Sequence, residues 1–308
     1  MSQLKQKFVV FLMGPTASGK TDLAIELAKQ IKSRIISVDS ALIYKGMDIG
    51  SAKPEQKILE KFPHHLIDIC SPEQAYSAHE FVKDANEQIQ IAFESGELPI
   101  LVGGTSFYFN ALEHGLSELP ESNTKSREKF NQLLKQQGSA KLHTTLQTID
   151  PVAANRIHPN DAQRVTRALE VYDISGKTLT ELQGNKKPNI NYPIKKIILM
   201  PDRDKLHRRI EKRFHQMLEH GFLSEVQHLK TNPKLHQDLP SIRCVGYRQA
   251  WQYLNNEIDK DTMIEKAIIA TRQLCKRQST WLKGEKDTLQ LDDADIDKAL
   301  KFILQQPA

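Results

Sequence analysis

FVVFLMGPTASGKT, the stretch from Phe8 to Thr21, joins an apolar strand to a glycine-rich turn and then to the start of a helix. It fits the pattern G-x-x-x-x-G-K-[ST] at every fixed position. Glycines in such a turn let backbone N–H groups surround phosphate oxygens, and the helix points its positive dipole end at them. Lys20 adds a positive charge, and a hydroxyl such as that of Thr21 is a ligand for Mg²⁺. We predict a phosphate-binding loop, with Thr21 as its metal ligand, made of Gly14, Pro15, Thr16, Ala17, Ser18, Gly19, Lys20 and Thr21.

The composition favours a cytoplasmic protein. With 308 residues the chain is long enough for one large domain or two modest ones. The longest apolar run near the start, Phe8 to Met13, is too short to span a membrane, and no cleavage-site pattern follows it. The cysteines, Cys70, Cys244 and Cys275, form no C-x-x-C pair. We therefore expect buried, unreactive thiols rather than a zinc site or disulfides.

The positive charge of the chain is clustered. The formal net charge is only +5, but Lys195 to Arg213 contains eight Lys and Arg residues. Five more lie between Arg272 and Lys286, against Glu285 alone. Clusters of this kind are typical of proteins that bind a polyanion such as nucleic acid.

Two further strands are predicted to end beside the phosphate-binding loop. The apolar run Ile35 to Val38 ends on Asp39, and Pro99 to Val102 leads into Gly103-Gly104-Thr105. In parallel α/β sheets ligands bind beyond the carboxyl ends of the strands, so we expect Asp39 to face the same crevice as Lys20. The alternative is that Asp39 only caps the next turn. The two glycines allow close approach of backbone to a ligand, although a simple tight turn would also explain them.

The middle of the chain differs from both ends. From Glu113 to about Asn191 it is polar and without buried-strand runs. The predicted helices here are Ser126 to Gln137, Ser139 to Ile149, and Asn160 to Ser175, the last with a capping-box pattern at its start and Gly176 at its end. We predict an α/β fold with a P-loop, NTPase- or kinase-like parallel sheet core (residues 1–112 and 194–308) and a helical insertion domain (residues 113–193).

The sheet pattern is predicted to continue on either side of the insertion. His65 to Ile69 reads as a further strand, and Ile194 to Met200 and Thr288 to Leu291 as two more. A helix that begins at Arg203 has an apolar face of Leu206, Ile210, Phe214 and Met217. Arg213 lies about 60° from the centre of that face, so we expect it to be half-buried, with Arg208 and Lys212 pointing away.

Six segments together resemble the bacterial tRNA dimethylallyltransferases. They are GPTASGKT in the phosphate-binding loop, DSALIY from Asp39, LVGGT from Leu101, IHPND from Ile157, Arg213-Phe214, and RCVGYR from Arg243. The resemblance extends from the phosphate-binding loop to Trp281. The phosphate-binding loop alone would match many kinases, whereas the DSAL and RCVGYR stretches would not.

The resemblance implies transfer of a dimethylallyl group from dimethylallyl pyrophosphate to N6 of adenosine 37 in tRNA, giving N6-isopentenyladenosine. Asp39 would accept the proton of the exocyclic amine as general base. Lys20, the loop amides, Arg213, and Mg²⁺ through Thr21 would stabilise the charge of the leaving pyrophosphate. The target base would have to leave its stack to reach Asp39. The predicted catalytic residues are Asp39, Arg213 and Thr105.

The resemblance also implies a set of residues that contact the tRNA anticodon stem-loop, with the insertion domain gripping the stem through dispersed positive charges. Without the family, Arg164 and Arg167 would be a solvated helix face. The predicted tRNA contacts are Asp39, Ser40, Ala41, Leu42, Thr105, Arg127, Gln163, Arg164, Val165, Thr166, Arg167, Arg243, Cys244, Val245, Gly246, Tyr247, Arg248, Lys276, Arg277, Gln278 and Lys283.

Two other functions fit the phosphate-binding loop taken alone. A nucleoside triphosphate and an allylic pyrophosphate present nearly the same oxygens to it, so a small-molecule kinase with Asp39 as base is the main alternative. The long helical insertion and the dispersed basic segments are more than a small acceptor needs. A GTPase-like switch lacks support, because the sequence has no N-K-x-D motif. We expect a monomer that binds tRNA, dimethylallyl pyrophosphate and Mg²⁺, and no membrane.

Overall fold

A computed structural model describes residues 7–121, 123–184 and 187–305. The chain divides into two compact units. Unit 1 comprises Met1–Ala111 and Ile190–Ala308, and unit 2 comprises Leu112–Asn189. Unit 2 is thus inserted between two segments that fold together. Its predicted role in gripping the anticodon stem stays a prediction.

Unit 1 is built on a parallel sheet of six strands in the order β3-β2-β4-β1-β5-β6. All five residues of β1 are buried, as expected for a central parallel strand covered on both faces. The predicted α/β fold class with a P-loop parallel core is confirmed. The strands are β1 (Val9–Met13), β2 (Ser33–Val38), β3 (His64–His65), β4 (Leu98–Gly103), β5 (Ile194–Leu199) and β6 (Thr288–Leu291).

One strand is shorter than predicted. Instead of running from His65 to Ile69, β3 contains only His64 and His65. Leu66 and Asp68 have φ angles of 63° and 53°. These left-handed conformations cannot continue an extended strand, so the chain turns away from the sheet directly after β3.

Helices cover both faces of the sheet, and in the described residues of unit 2 the regular structure is helical. The first and last helices pack on apolar residues of β1, β4 and β5. Four helices of the second half form a separate core around Phe222 and Tyr247. The helices are α1 (Lys20–Gln30), α2 (Gln56–Lys61), α3 (Ala78–Glu94), α4 (Ser106–His114), α5 (Thr124–Ile149), α6 (Pro151–Arg156), α7 (Ala162–Ser175), α8 (Leu179–Leu182), α9 (Arg203–Glu219), α10 (Phe222–Lys230), α11 (Tyr247–Leu254), α12 (Lys260–Leu282) and α13 (Ile296–Leu304).

Unit 2 packs its helices on its own small core. The two predicted helices on either side of Gly138 are confirmed, because that glycine has a φ of 77° and interrupts α5. Helix α7 ends at Gly176 as predicted, but its N-cap is Asp161 rather than Asn160. The Asp161 side chain accepts a hydrogen bond from the Arg164 N–H at 3.1 Å, which satisfies one free donor of the first turn. None of the helices described is long and apolar enough to cross a membrane.

Candidate active site

The phosphate-binding loop has the backbone geometry that its glycines predict. Gly19, the residue before α1, has a φ of 96°, in the region that favours glycine. A Cβ on Gly14 would lie 2.7 Å from the Leu199 carbonyl oxygen, so only glycine fits beside β5. The Ser18 hydroxyl is buried and has no hydrogen-bond partner among the described residues. A buried donor without a partner at this position suits a bound anion.

Lys20 lies at the start of α1 with its charge poorly solvated. Its Nζ donates a hydrogen bond to the Pro15 carbonyl oxygen at 3.2 Å. Burial lowers the pKa of Lys20 to about 8; the negative charge of Asp39 acts to raise this pKa, and the positive charge of Arg213 lowers it. Lys20, Asp39 and Arg213 therefore lie within electrostatic reach of one another.

Arg213 is half-buried on α9, while Arg208 and Lys212 are exposed, which confirms the helical-wheel prediction. Leu206, Ile210 and Phe214 anchor the helix in the core. Burial lowers the pKa of Arg213, against the charges of Asp39 and Asp22, which act to raise it. A guanidinium in this setting stays protonated and brings a poorly solvated positive charge close to Asp39.

Asp39 follows β2 directly and performs the capping role that the sequence left open. Its Oδ1 accepts hydrogen bonds from the N–H groups of Ala41 at 2.8 Å and Leu42 at 3.4 Å. Among the described residues no donor is hydrogen-bonded to the other carboxylate oxygen, Oδ2. One oxygen thus fixes the orientation of the carboxylate, and the other is available to an incoming group.

Thr105 links the turn after β4 to the turn after β2. Its Oγ1 accepts a hydrogen bond from the Ser40 N–H at 3.1 Å, and its own N–H donates to the Val38 carbonyl at 3.2 Å. Thr105 therefore holds the residues on both sides of Asp39. Its observed contacts position the carboxylate, and its predicted contact with the reacting groups stays a prediction.

Two side chains at the phosphate-binding loop escaped the sequence analysis. Arg209 donates to the carbonyl oxygens of Ala17 at 3.3 Å and Ser18 at 3.0 Å. Gln278, predicted only as a tRNA contact, accepts from the Thr16 N–H and donates to the Gly104 carbonyl, both at 2.9 Å. Arg209 precedes Arg213 by one helical turn, which was an available signal. Gln278 offered none, because its partner Thr16 lies 262 residues away in sequence.

The segment from Asp39 to Lys53, here called the 39–53 loop, is held by distant residues. Glu225 of α10 accepts hydrogen bonds from the N–H groups of Asp48 and Ile49 at 2.8 and 2.7 Å, and from Gly50 at 3.2 Å. The same carboxylate accepts from the Tyr247 hydroxyl at 2.6 Å. Burial, together with the charge of Glu225, raises the pKa of Tyr247. Glu225 was also missed, because the sequence around it shows no motif.

The predicted tRNA contacts include exposed, half-buried and buried residues. The exposed and half-buried ones stay predictions, whereas the residues Val165, Thr166, Gly246 and Tyr247 are buried and do not face solvent. Tyr247 has no exposed surface, so we correct its predicted RNA contact to a structural role in the core. The exposed predicted contacts are Ser40, Arg127, Gln163, Arg164, Arg243, Arg248, Lys276, Arg277 and Lys283.

Arg167 and Gln278 also make contacts within the protein. Arg167 donates to the Pro120 carbonyl oxygen at 2.7 Å and pairs with the buried carboxylate of Glu170 at 3.5 Å, so its charge is used within unit 2. Both polar atoms of the Gln278 amide are likewise bonded to the protein. Their predicted contacts with RNA, which the family resemblance implies, stay predictions.

Cys70, Cys244 and Cys275 are free thiols. Cys70 and Cys275 are buried, but Cys244 is only half-buried, contrary to expectation. Burial, with a contribution from the charge of Asp39, raises the pKa of Cys244 to about 12, so its thiol stays protonated. Within the described ranges no three His, Cys, Asp or Glu side chains are grouped so as to hold a metal ion.

A phosphate-binding loop that contains Lys20, close to the Asp39 carboxylate and the Arg213 guanidinium, is typical of α/β enzymes that transfer a group from a phosphorylated donor. The IPP transferase family model matches residues 42–285. The tRNA dimethylallyltransferase of Ruthia magnifica subsp. Calyptogena magnifica is 70% identical over 297 residues, which cover 96% of this chain and 97% of that protein.

Solved structures agree with this match. The crystal structure of the full-length tRNA isopentenylpyrophosphate transferase of Bacillus halodurans is 35% identical, with a TM-score of 0.70, and the match covers 97% of this chain and 94% of that one. A eukaryotic dimethylallyltransferase acting on tRNA is 28% identical, with a TM-score of 0.78 and coverage of 95% and 75%. The chain belongs to the tRNA dimethylallyltransferase family, and the predicted enzyme class, a prenyltransferase that modifies tRNA, is confirmed.

Proposed function

We propose that the chain transfers the dimethylallyl group of dimethylallyl pyrophosphate to N6 of adenosine 37 in tRNA. The observation that carries this proposal is the position of Asp39, whose carboxylate is within electrostatic reach of Lys20 and Arg213. The cations suit the pyrophosphate of a donor, and the carboxylate suits an amine that must lose a proton. Relatives named tRNA dimethylallyltransferase support the choice of donor and acceptor.

On the donor side, the loop amides, Lys20 and Arg213 bind the pyrophosphate. Negative charge on this group grows as the bond between carbon and oxygen breaks. Cations already held in a poorly solvated site stabilise that charge without reorganising, which lowers the barrier for departure. Arg209 keeps the loop in shape through the Ala17 and Ser18 carbonyl oxygens, and its charge adds to the field.

The residues also fit a Mg²⁺ ion. Thr21 lies in the first turn of α1 and is only partly buried, and Mg²⁺ in such sites takes most of its ligands from phosphate oxygens and water. This agrees with the lack of a carboxylate cluster in the part of the chain that the structure describes. When bound, the ion would neutralise charge on the pyrophosphate. Thr21 is the protein ligand that we propose for it.

On the acceptor side, Asp39 takes the proton of the adenine amine as nitrogen attacks the allylic carbon. Its Oδ1 is committed to the Ala41 and Leu42 N–H groups, so Oδ2 is the atom that we assign to the proton. Thr105, through Ser40, holds the turn that carries this carboxylate. A positioned general base of this kind accelerates transfer by roughly 10²- to 10⁴-fold.

The exposed positive side chains of both units supply the contacts to tRNA phosphates. Phosphate contacts position an RNA substrate without reading its sequence. Arg243 and Arg248 are exposed on either side of the buried Tyr247, and Lys276, Arg277 and Lys283 are exposed on α12. Cytoplasmic location and a monomeric state stay predictions.

Mass spectrometry of nucleosides tests this function. The protein, dimethylallyl pyrophosphate, Mg²⁺ and an anticodon stem-loop should yield N6-isopentenyladenosine without ATP. A stem-loop with purine riboside at position 37, which lacks the exocyclic amine, should yield no prenylated nucleoside. A strict requirement for ATP, with a phosphorylated acceptor as product, would establish the kinase alternative instead.

A further inference from the structure

We infer that Gln278 is a positioning residue that fixes the spacing between the donor and acceptor sides of the site. Its side chain enters between two turns that follow neighbouring strands. The Oε1 atom accepts from the Thr16 N–H in the phosphate-binding loop, and Nε2 donates to the Gly104 carbonyl after β4, both at 2.9 Å. The amide is thus a bridge from one turn to the other.

The bridge reaches Asp39 through one more side chain. Gly104 precedes Thr105, whose Oγ1 accepts the Ser40 N–H at 3.1 Å, and Ser40 follows Asp39. The path from Thr16 to the carboxylate therefore contains only two side chains, Gln278 and Thr105. Because the path contains no long chain segment that could absorb a movement, a shift of either end changes the distance between the donor pyrophosphate and the proton acceptor.

The structure leaves little room around this bridge. A Cβ added to Gly104 would lie 2.5 Å from the Gln278 Nε2 and 3.1 Å from the Gly14 carbonyl oxygen. The glycine after β4, explained above by close backbone approach, is thus needed for the amide of Gln278. Both hydrogen bonds of the amide are near the usual length for N–H to oxygen, which fixes its direction.

The expected effect of losing the bridge lies in the chemical step. Misplacing reacting groups by about 1 Å can cost roughly 10²-fold in rate, even when both substrates remain bound. This inference rests on the proposed function, because it takes the phosphate-binding loop as the donor site and Asp39 as the acceptor site. It assigns Gln278 no contact with either substrate.

Gln278→Met tests the inference, because methionine has a similar length and removes both hydrogen bonds. We expect the single-turnover rate of prenyl transfer at saturating substrates to fall about 10- to 100-fold. The dissociation constants of pyrophosphate and of the anticodon stem-loop should change less than threefold, and the pH at half-maximal rate should not move. Gln273→Met, on an exposed position of the same helix, should match the parent in every measurement.

A second variant reaches the bridge from its other end. Gly104→Ala should push the Gln278 amide away and give the same loss of rate with retained binding. Parental rates in both variants would overturn the inference, as would a loss confined to substrate affinity or to melting temperature. A parent protein that transfers no prenyl group would overturn the proposed function, and the inference with it.

Discussion

The phosphate-binding loop and the 39–53 loop both follow strands of one sheet, yet they are held in different ways. The first is shaped by its own glycines and by short-range bonds such as that from Lys20 to Pro15, with Arg209 and Gln278 added from outside. The second depends on Glu225, which lies about 175 residues further along the chain. The donor side is therefore encoded mainly in local sequence, and the acceptor side is assembled by the tertiary fold.

The largest effect is expected at the carboxylate of the acceptor side. Asp39→Asn keeps an oxygen to accept the Ala41 and Leu42 N–H bonds but removes the base. We predict a loss of roughly 10²- to 10⁴-fold in the single-turnover rate at saturating tRNA and donor. Asp39→Ser, which retains a capping oxygen, should lose as much. If the asparagine variant reacted at the parental rate, Asp39 would be a cap only.

On the donor side, Arg213→Ala should slow transfer by roughly 10²- to 10³-fold, because a preorganised charge no longer faces the leaving pyrophosphate. Arg208→Ala is the control, since that side chain is exposed on the same helix. Single-turnover kinetics and pyrophosphate titration separate rate from affinity. Equal rates in the two variants would remove Arg213 from the site.

Removal of the Glu225 carboxylate, which holds the acceptor side, should lower the stability of the protein. Glu225→Ala leaves the N–H groups of Asp48 and Ile49 and the Tyr247 hydroxyl without their acceptor. We expect a decrease of about 1–3 kcal/mol in the free energy of unfolding, measured by urea denaturation. Glu219→Ala, at an exposed position on α9, should have no such effect. An unchanged free energy of unfolding in Glu225→Ala would show that the 39–53 loop keeps its conformation without the Glu225 carboxylate.

The donor side should also respond to pH. Because the pKa of Lys20 is lowered to about 8, its ammonium form is mostly present at pH 7 and mostly lost at pH 9. We predict that pyrophosphate affinity falls by about tenfold over this interval relative to Lys20→Arg, whose guanidinium keeps its proton. Pyrophosphate itself titrates in the same way with both proteins, so its titration does not affect the ratio of the two affinities. Parallel curves for the two proteins would place the lysine charge outside the donor site.

The smallest effect is expected in unit 2. Arg164→Ala removes one exposed charge near the Asp161 carboxylate, 3.4 Å from it. Affinity for tRNA should fall about two- to threefold, and the slope of log affinity against log salt should decrease by about one. Arg167 is unsuitable for this test, because its side chain also pairs with the buried carboxylate of Glu170. An unchanged salt slope would make Arg164 a solvated side chain.

The difference between the locally encoded donor side and the acceptor side assembled by the tertiary fold also explains what the sequence could predict. The phosphate-binding loop acts through backbone groups, and its glycines and lysine are visible as a pattern. Arg213 was placed correctly, because the periodicity of α9 determines which side of the helix is buried. Asp39 was located by the rule for strand ends, although the sequence could not decide between cap and base.

Most failures concern burial and long-range contact. RCVGYR places exposed Arg243 and Arg248 around a fully buried Tyr247, and six consecutive letters do not reveal which side chains face the core. The strand predicted from His65 ends at once, because Leu66 takes a left-handed conformation unfavourable for a side chain of its size. Gln278 and Glu225 act on residues far away in sequence, so no local pattern records them.

Pyrophosphate binding to Asp39→Asn tests most directly whether the two sides are separate. Isothermal titration calorimetry with Mg²⁺ should give an affinity equal to that of the parent, or somewhat higher, because a negative charge within reach of Lys20 and Arg213 has been removed. The same preparation should be defective in transfer. A tenfold or greater loss of pyrophosphate affinity would contradict the assignment of Asp39 to the acceptor alone.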